Sequence, residues 1–560
     1  MKASPHDAHP RLGASLLLAA LGVPLAWSLW GAAAAGLDGA AWRALLADPQ
    51  TGPALAMSLW TGLLASALSL TVAAWLLSRH FPGPAWARLV RRLSPLLAVP
   101  HAAFAIGLAF LIAPSGWLLR ALSPWATGMT EPPPWPTTQD PWGLGLIAVL
   151  VAKEVPFLLW AAATQLQRAD VAHSWTRELL LARSMGYSRS HAWWRVLWPQ
   201  LWPRLRWPML AVLAYSLTVV DLALVIGPTS PPTLAVLAWQ WLLDADMALN
   251  AQGAAAAWAL AAVLALVAGA LWLLSCRPIW RTRWTTGARG ATRLRTVAAH
   301  AGAAGFALLL GLYLAVMLAL AVGSVAGSWP FPQLLPQTYT AQAWTSVWAS
   351  FSTVGTTLTL ASCSALAALL WSVAWLECAP PHLIARLRPA LYLPLVLPPV
   401  LWVVGLHAMS LRLGLDATWA GVWLAHTLAA VPYVLIALSP AYTGFDARLW
   451  HISATLGHGR AVFLWRVKWP LLRAALASSF AIGFAVSVAQ YLPTLFIGAG
   501  RFATVTTEAV TLAAGAQRSL TSAYAWLQWL LPVLVLGLAA WLGQPRRYKN
   551  NSYLHIQDNR

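Results

Sequence analysis

Twelve apolar runs, each long enough to cross a bilayer as a helix, govern what this chain can become. They lie at about 12–35, 54–78, 93–114, 143–166, 207–228, 254–276, 299–325, 353–377, 390–411, 419–441, 474–498 and 524–543. Crossing the hydrocarbon takes about 20 apolar residues as a helix and about ten as a barrel strand, so these runs are too long for strands. Of the 560 residues only 9% are charged, against about a quarter in soluble domains. The expected fold class is an all-α polytopic membrane protein. The first run follows Lys2 and Arg11 but is longer than a secretory h-region, so it reads as an uncleaved helix.

The net charge of +20 raises the question of a polyanion partner, and its distribution answers it. With the N-terminus in the cytoplasm, 30 of the 36 Lys and Arg fall in inward segments. Five fall in outward loops (Arg43, Arg120, Arg412, Arg501 and Arg518), and Lys153 lies inside a run. This bias orients the chain with both termini cytoplasmic and calls for no nucleic acid. The three cysteines (Cys276, Cys363 and Cys378) have no metal-ligand spacing and form no even set for disulfides.

The organisation comes from an internal repeat. "SMGYSRSHAWWRVLWPQL" (184–201) and "TLGHGRAVFLWRVKWPLL" (455–472) agree at eight of eighteen positions without gaps. The shared residues are Gly186/Gly457, Arg189/Arg460, Trp194/Trp465, Arg195/Arg466, Val196/Val467, Trp198/Trp469, Pro199/Pro470 and Leu201/Leu472. Further matches pair Pro100 with Pro398, Gly107 with Gly405 and Pro156 with Pro432. Two tandem six-helix halves of the same orientation follow, at 1–275 and 299–543. A basic cytoplasmic linker (276–298) joins them, and a polar cytoplasmic tail occupies 544–560.

Each copy of the repeated segment falls between the fourth and fifth runs of its half, on the cytoplasmic side. Its Gly suits a turn, and the aromatic, apolar and basic residues after it suit a short amphipathic helix that stops near Trp-Pro. Such a helix can lie at the membrane interface or fill a groove on a partner. A single copy reads as a basic loop with tryptophan anchors. Two copies at matching places favour a docking role.

These residues resemble the signature of the permease subunits of binding-protein-dependent ABC importers, E-A-A-x-x-x-G followed after nine residues by I-x-L-P. The first copy has "LLARSMG" and then "VLWP", with Ala182, Gly186, Trp198 and Pro199 in register. The second has "HISATLG" and then "VKWP", with Ser453, Gly457, Trp469 and Pro470. Leu180 and His451 stand where the signature has Glu, and Trp stands where it has Leu. The resemblance implies that the loops at 167–206 and 442–473 seat coupling helices in two copies of an ATP-binding subunit. It also implies a periplasmic solute-binding protein, an inner-membrane location among lipid, and a small solute such as thiamine or iron(III). ATP would sit on the partner, with no cofactor on this chain: no G-x-x-x-x-G-K-[ST] loop is present and no Lys follows a Gly.

Ionisable groups inside spans are costly and point to function. Lys153, Glu154 and Asp221 qualify, and Gln490 and Thr494 in the eleventh run add polar groups. Lys153, Asp221, Gln490 and Thr494 are therefore the candidate pathway residues. The plainer reading pairs Lys153 with Asp221 or Glu154 as packing. His407 and His426 read as hydrogen-bonded core residues, and Gly107 and Gly405 as sites of close helix packing. Two rival classes remain in view. A secondary transporter of the major facilitator type also has parallel halves, but would repeat motifs after the second span. A membrane-embedded transferase would want outward acidic or metal-binding clusters, and "DADMALN" (244–250) is sparse.

Overall fold

The computed structural model describes residues 8–166, 169–276, 295–515 and 517–544. Most of the basic linker (277–294) and of the tail (545–560) lies outside the described residues. Among those described the chain is helical, and the one bridge outside helices pairs Ala326 with Tyr339. Eight single helices are long and apolar enough to cross a membrane, and three bent helix pairs bring the number to eleven. These eleven coincide with expected runs. The remaining run, 207–228, is also helical but broken at Val219 and Val220.

The first half is built from α1 (Ala8–Ala35), α2 (Thr51–His80), α3 (Pro84–Leu97), α4 (His101–Ile112), α5 (Leu144–Leu166), α6 (Ala169–Ser184), α7 (Trp198–Thr218), α8 (Asp221–Ile226) and α9 (Met247–Cys276). The second contains α10 (Arg295–Val325), α11 (Phe351–Cys378), α12 (Pro399–Arg412), α13 (Trp419–Thr443), α14 (Arg448–Thr455), α15 (Arg473–Val488), α16 (Leu492–Gly498) and α17 (Arg518–Gly543). Prolines set several breaks. Pro100 precedes α4 and Pro398 precedes α12, and neither can give an N–H to the preceding turn. The bend before α12 reaches 101°.

Within the halves, α2 packs on α5 and α7, and α11 packs on α13 and α15. The first helix of each half crosses over to the other. α1 lies along α12, and α10 lies along α4. Two matched glycines make these crossings possible. A Cβ on Gly107 would come within 2.7 Å of Val316 Cγ1 and 2.9 Å of the Val316 carbonyl on α10. A Cβ on Gly405 would collide with the backbone carbonyl of Ser28 on α1. The same small-residue device, 298 positions apart, thus joins the halves twice.

The collision at Gly405 is with rigid backbone, whereas that at Gly107 is partly with a side chain. Overpacking costs about 1–3 kcal/mol and more where backbone must shift. Gly405→Val should therefore lower the thermal midpoint of the purified protein more than Gly107→Val. Gly311→Ala, in open space on α10, should leave it unchanged or slightly raised. Equal midpoints for all three would refute close packing at the crossings.

Candidate functional site

The repeated segments take the same backbone path. α6 ends in a paired-bond turn: the Tyr187 N–H donates to the Ala182 carbonyl at 3.1 Å and the Gly186 N–H to Arg183 at 3.0 Å. α14 ends identically, with His458 N–H to Ser453 at 3.1 Å and Gly457 N–H to Ala454 at 3.0 Å. This closure needs a left-handed residue at its penultimate position, and Gly186 and Gly457 have φ of +88° and +78°. Ala182 and Ser453, whose carbonyls receive the longer bonds, are buried at 3% and 5% exposure. A small residue is required there because that face packs inward.

The expectation that the next helix stops near Trp-Pro holds in the second copy, which ends at Leu471, and is corrected in the first. Short helices at Arg189–Ala192 and Arg460–Phe463 widen into five-residue π-turns, Trp193–Leu197 and Leu464–Lys468. In the first copy the helix runs on through Trp198–Thr218, whereas in the second it ends at Leu471 and the chain bends by 75° before Arg473. Pro199 and Pro470 lack the N–H that an α-helical register needs. The change to five-residue bonding, Trp198 N–H to Trp193 and Trp469 N–H to Leu464, comes immediately before them. The wide turn lets a proline enter without ending the helix.

The side chains divide into two groups. Trp193, buried at 1%, stacks on Trp198 at 5.7 Å and meets Trp194 edge-on at 4.8 Å. In the second copy Trp465 meets Trp469 edge-on at 4.6 Å. The repeated arginines turn inward. Arg189 Nη2 donates to the Pro82 carbonyl at 2.8 Å, just past the end of α2. Arg460 donates to Glu377 Oε1 at 2.9 Å, at the end of α11. Arg195 is half-buried and Arg466 exposed.

Projecting outward are Leu181 and Met185 in the first copy and Ile452 and Leu456 in the second, all at least 56% exposed. Each pair is separated by the same 271 positions as the glycines. Counting identities passes over these four, because only their apolar character is shared. Sequence reasoning also missed Glu377, whose signal was a lone carboxylate at the cytoplasmic end of an apolar run.

The candidate pathway residues separate. Lys153 is 3% exposed and forms no ion pair with a carboxylate among the described residues. Its Nζ donates to the Val99 carbonyl at 2.6 Å and to Leu96 at 3.3 Å, where α3 breaks from α4. The rings of Phe104 and Tyr313 lie within 6 Å of the same ammonium. Glu154 faces His101 at 3.6 Å, and the His101 ring lies 4.9 Å from that of Tyr215. Asp221 opens α8 just beyond the break and lies in electrostatic range of His101, Tyr215 and Tyr491. Tyr433 of α13 is similarly close to Glu154. Thr494 is closed off: His426 bridges Ser487 Oγ and Thr494 Oγ1, both at 2.8 Å. His426 is thus a hydrogen-bonded core residue, as expected, whereas His407 faces Asp416 at 3.2 Å. Gln490 Nε2 donates to the Val486 carbonyl at 3.2 Å.

No family model matches the chain. Among curated proteins it is 36% identical over 516 residues to the inner membrane ABC transporter permease protein YnjC of Escherichia coli (strain K12), covering 90% of this chain and 92% of the relative. The molybdenum transport system permease protein ModB of Mycobacterium tuberculosis is 34% identical over 132 residues, 21% of this chain and 50% of the relative. The spermidine/putrescine transport system permease protein PotC of Haemophilus influenzae is 24% identical over 107 residues, 19% of this chain and 42% of the relative. With a relative that similar matched over nearly its whole length, in a helical membrane-spanning architecture, this chain belongs to the ABC transporter permeases.

Proposed function

We propose that this chain is the fused membrane component of an ABC importer. Its two six-span halves carry a small solute inward across the inner membrane, powered by two copies of a separate ATP-binding subunit. The carrying observation is the pair of loops with identical paired-bond turns and matched outward apolar residues, Leu181 with Ile452 and Met185 with Leu456. Two equivalent apolar faces suit two equivalent grooves, and exposed apolar residues grouped in this way mark interaction sites. ATP binds on the partner, and a periplasmic binding protein delivers the solute. The comparisons offer no support for a secondary transporter of the major facilitator type.

The solute is read from the passage between the halves. The named relatives carry molybdenum and polyamines, which differ in charge. In this chain Glu154 and Asp221 from the first half lie near Tyr433 and Tyr491 from the second. Lys153 is committed to two carbonyls beside α4. Buried carboxylates edged by aromatic rings between the halves favour a cationic solute, as thiamine and iron(III) are.

Three measurements test this reading. Cysteines at Glu131 and Ser184 should react with impermeant reagent from outside and inside respectively, given twelve spans with both termini cytoplasmic. Labelling of Ser184→Cys from outside would overturn the orientation. Met185→Glu with Leu456→Glu should cut co-purification of the ATP-binding subunit at least tenfold. Gly457→Val, at about 1–2 kcal/mol of backbone strain, should weaken it more than Gly457→Asn; an unchanged yield in every variant would place docking elsewhere. Mass spectrometry of the solute held by the co-encoded binding protein should find a cation. Asp221→Asn should then slow uptake of that solute several-fold, and an oxyanion in the binding protein would defeat the charge argument.

A further inference from the structure

Midway along its spans the first half brings two carboxylates and a histidine together. Glu154 lies at the middle of the 23 residues of α5. His101 opens α4 behind Pro100, and Asp221 opens α8 beyond the break at Val219 and Val220. His101 Nε2 is 3.6 Å from Glu154 Oε1, and its ring is 4.9 Å from that of Tyr215. Asp221 is in electrostatic range of the same imidazole. Glu154 is 5% exposed, yet the His101 side chain is 41% exposed. Tyr433 of the other half, in range of Glu154, is 43% exposed. Both halves therefore leave open surface beside a buried carboxylate.

The elements packed on α4 bring these further titratable groups among the described residues. Lys153 lies in electrostatic range of Glu154, with its ammonium on the Leu96 and Val99 carbonyls. Tyr313 of α10 donates to the Ala152 carbonyl, and Tyr491 is near Asp221; phenols are neutral near pH 7. Toward the outer face, Arg120 donates to the carbonyls of Trp329, Pro330 and Gln333, and Arg518 of α17 to Ser115 Oγ. Glu508, in the helix Val505–Ala513, is in range of Tyr524 of α17.

Carboxylates removed from water are costly unless cations balance them. Lys153 balances one of the two. A charged His101 balances the second and leaves the cluster neutral, whereas a neutral His101 leaves one negative charge beside open surface. The imidazole also has the surroundings that a bound organic cation would have, with a carboxylate at its nitrogen and a tyrosine ring alongside. At the offset of 298 that relates Gly107 to Gly405, His101 is matched by Pro399, so the second half carries no copy of it.

We propose that Glu154, Asp221 and Tyr215 form a site for one monovalent cation, that the imidazolium of His101 is its resident occupant, and that a cationic solute enters as His101 gives up its proton. This rests on the cationic-solute reading and adds proton competition to it. The proton leaves to water, the imidazole nitrogen keeps the electron pair, and the solute supplies the missing positive charge. Solute binding therefore weakens as pH falls through the imidazole range. One vacated charge suits a monovalent organic cation better than a trivalent metal ion, which makes His101 a specificity-determining residue.

The first test gives the purified full chain back its missing ring. By equilibrium dialysis, His101→Ala should bind radiolabelled imidazole at least fivefold more tightly at about pH 6.5 than at about pH 8.5, because the site takes the imidazolium. The unsubstituted chain should bind none, and adding Asp221→Asn to His101→Ala should weaken binding at least fivefold. Imidazole affinity that rises with pH, equal binding by the unsubstituted chain, or no binding by His101→Ala overturns the proposal. A second measurement serves if that variant does not fold. It uses nanodiscs with the ATP-binding subunit and the binding protein carrying the solute with which it is purified. At subsaturating binding protein, stimulation of ATP hydrolysis over the basal rate should fall at least threefold from about pH 8 to about pH 6 in the unsubstituted chain. In His101→Gln it should fall less than twofold, and parallel profiles overturn the proposal. An oxyanion in the binding protein, with imidazole behaving as expected, refutes the cationic-solute reading. A cation there, with imidazole binding indifferent to pH, refutes this proposal alone.

Discussion

Inside hydrocarbon no water is present to satisfy a freed backbone carbonyl, so a membrane helix can break only where protein supplies the missing donor. The functional parts of this permease are all built around such breaks, and each has its donor. Where α3 parts from α4, Lys153 reaches across from α5 to the Leu96 and Val99 carbonyls. The Ala152 carbonyl, in a helix that carries Pro156, accepts from the Tyr313 hydroxyl of the other half at 3.1 Å. At the end of α1, the Trp258 indole donates to the Ala32 carbonyl at 2.6 Å. Outside the membrane Arg120 does the same for a whole loop, donating to the carbonyls of Trp329, Pro330 and Gln333 at 2.8 to 2.9 Å. Two of these donors, Tyr313 and Arg120, reach the opposite half and so also hold the halves together.

The crossing of α1 and α10 has a related origin. Helices in lipid gain nothing from excluding water from one another and associate through close packing instead. Gly107 and Gly405 supply the closest approach available to a backbone, and each receives the first helix of the opposite half. A half that lends its first helix in this way is incomplete without its partner, which gives covalent fusion a direct structural use.

Much of this was legible because it depends on local pattern. Run length alone specifies membrane helices, and the fixed spacing of 271 residues specifies matching loops. Gly186 and Gly457 announced a turn that only a left-handed residue can close, and the structure has that turn in both copies. What stayed hidden depends on long-range contact. Nothing near Lys153 in sequence says that its partners are carbonyls more than fifty residues earlier rather than Asp221. Nothing near Glu377 says that Arg460 and Lys468 will converge on it from more than eighty residues away. Trp-Pro read as a helix end because the rule for proline assumes an α register, and a π-turn changes the register before the proline is reached. Thr494 read as a pathway group because its hydroxyl is polar, while the histidine that occupies it sits 68 residues away.

Where the halves agree and where they differ follows one rule. The features kept twice are backbone features: the paired-bond turns, the π-turns and the glycine crossings. Charges within the spans are present once, Lys153 and Glu154 aligning with Ala429 and Ala430 and Asp221 with Leu492, whereas the loop arginines Arg189/Arg460 and Arg195/Arg466 are kept twice. Backbone geometry is constrained twice over, because each half must fold and each loop must meet an equivalent partner. A buried charge between the halves is constrained once, because one carboxylate can serve both. A second carboxylate opposite the first would raise the cost of burying both through like-charge repulsion. In a homodimer every such charge would be forced to appear in duplicate across the axis. Fusion removes that requirement.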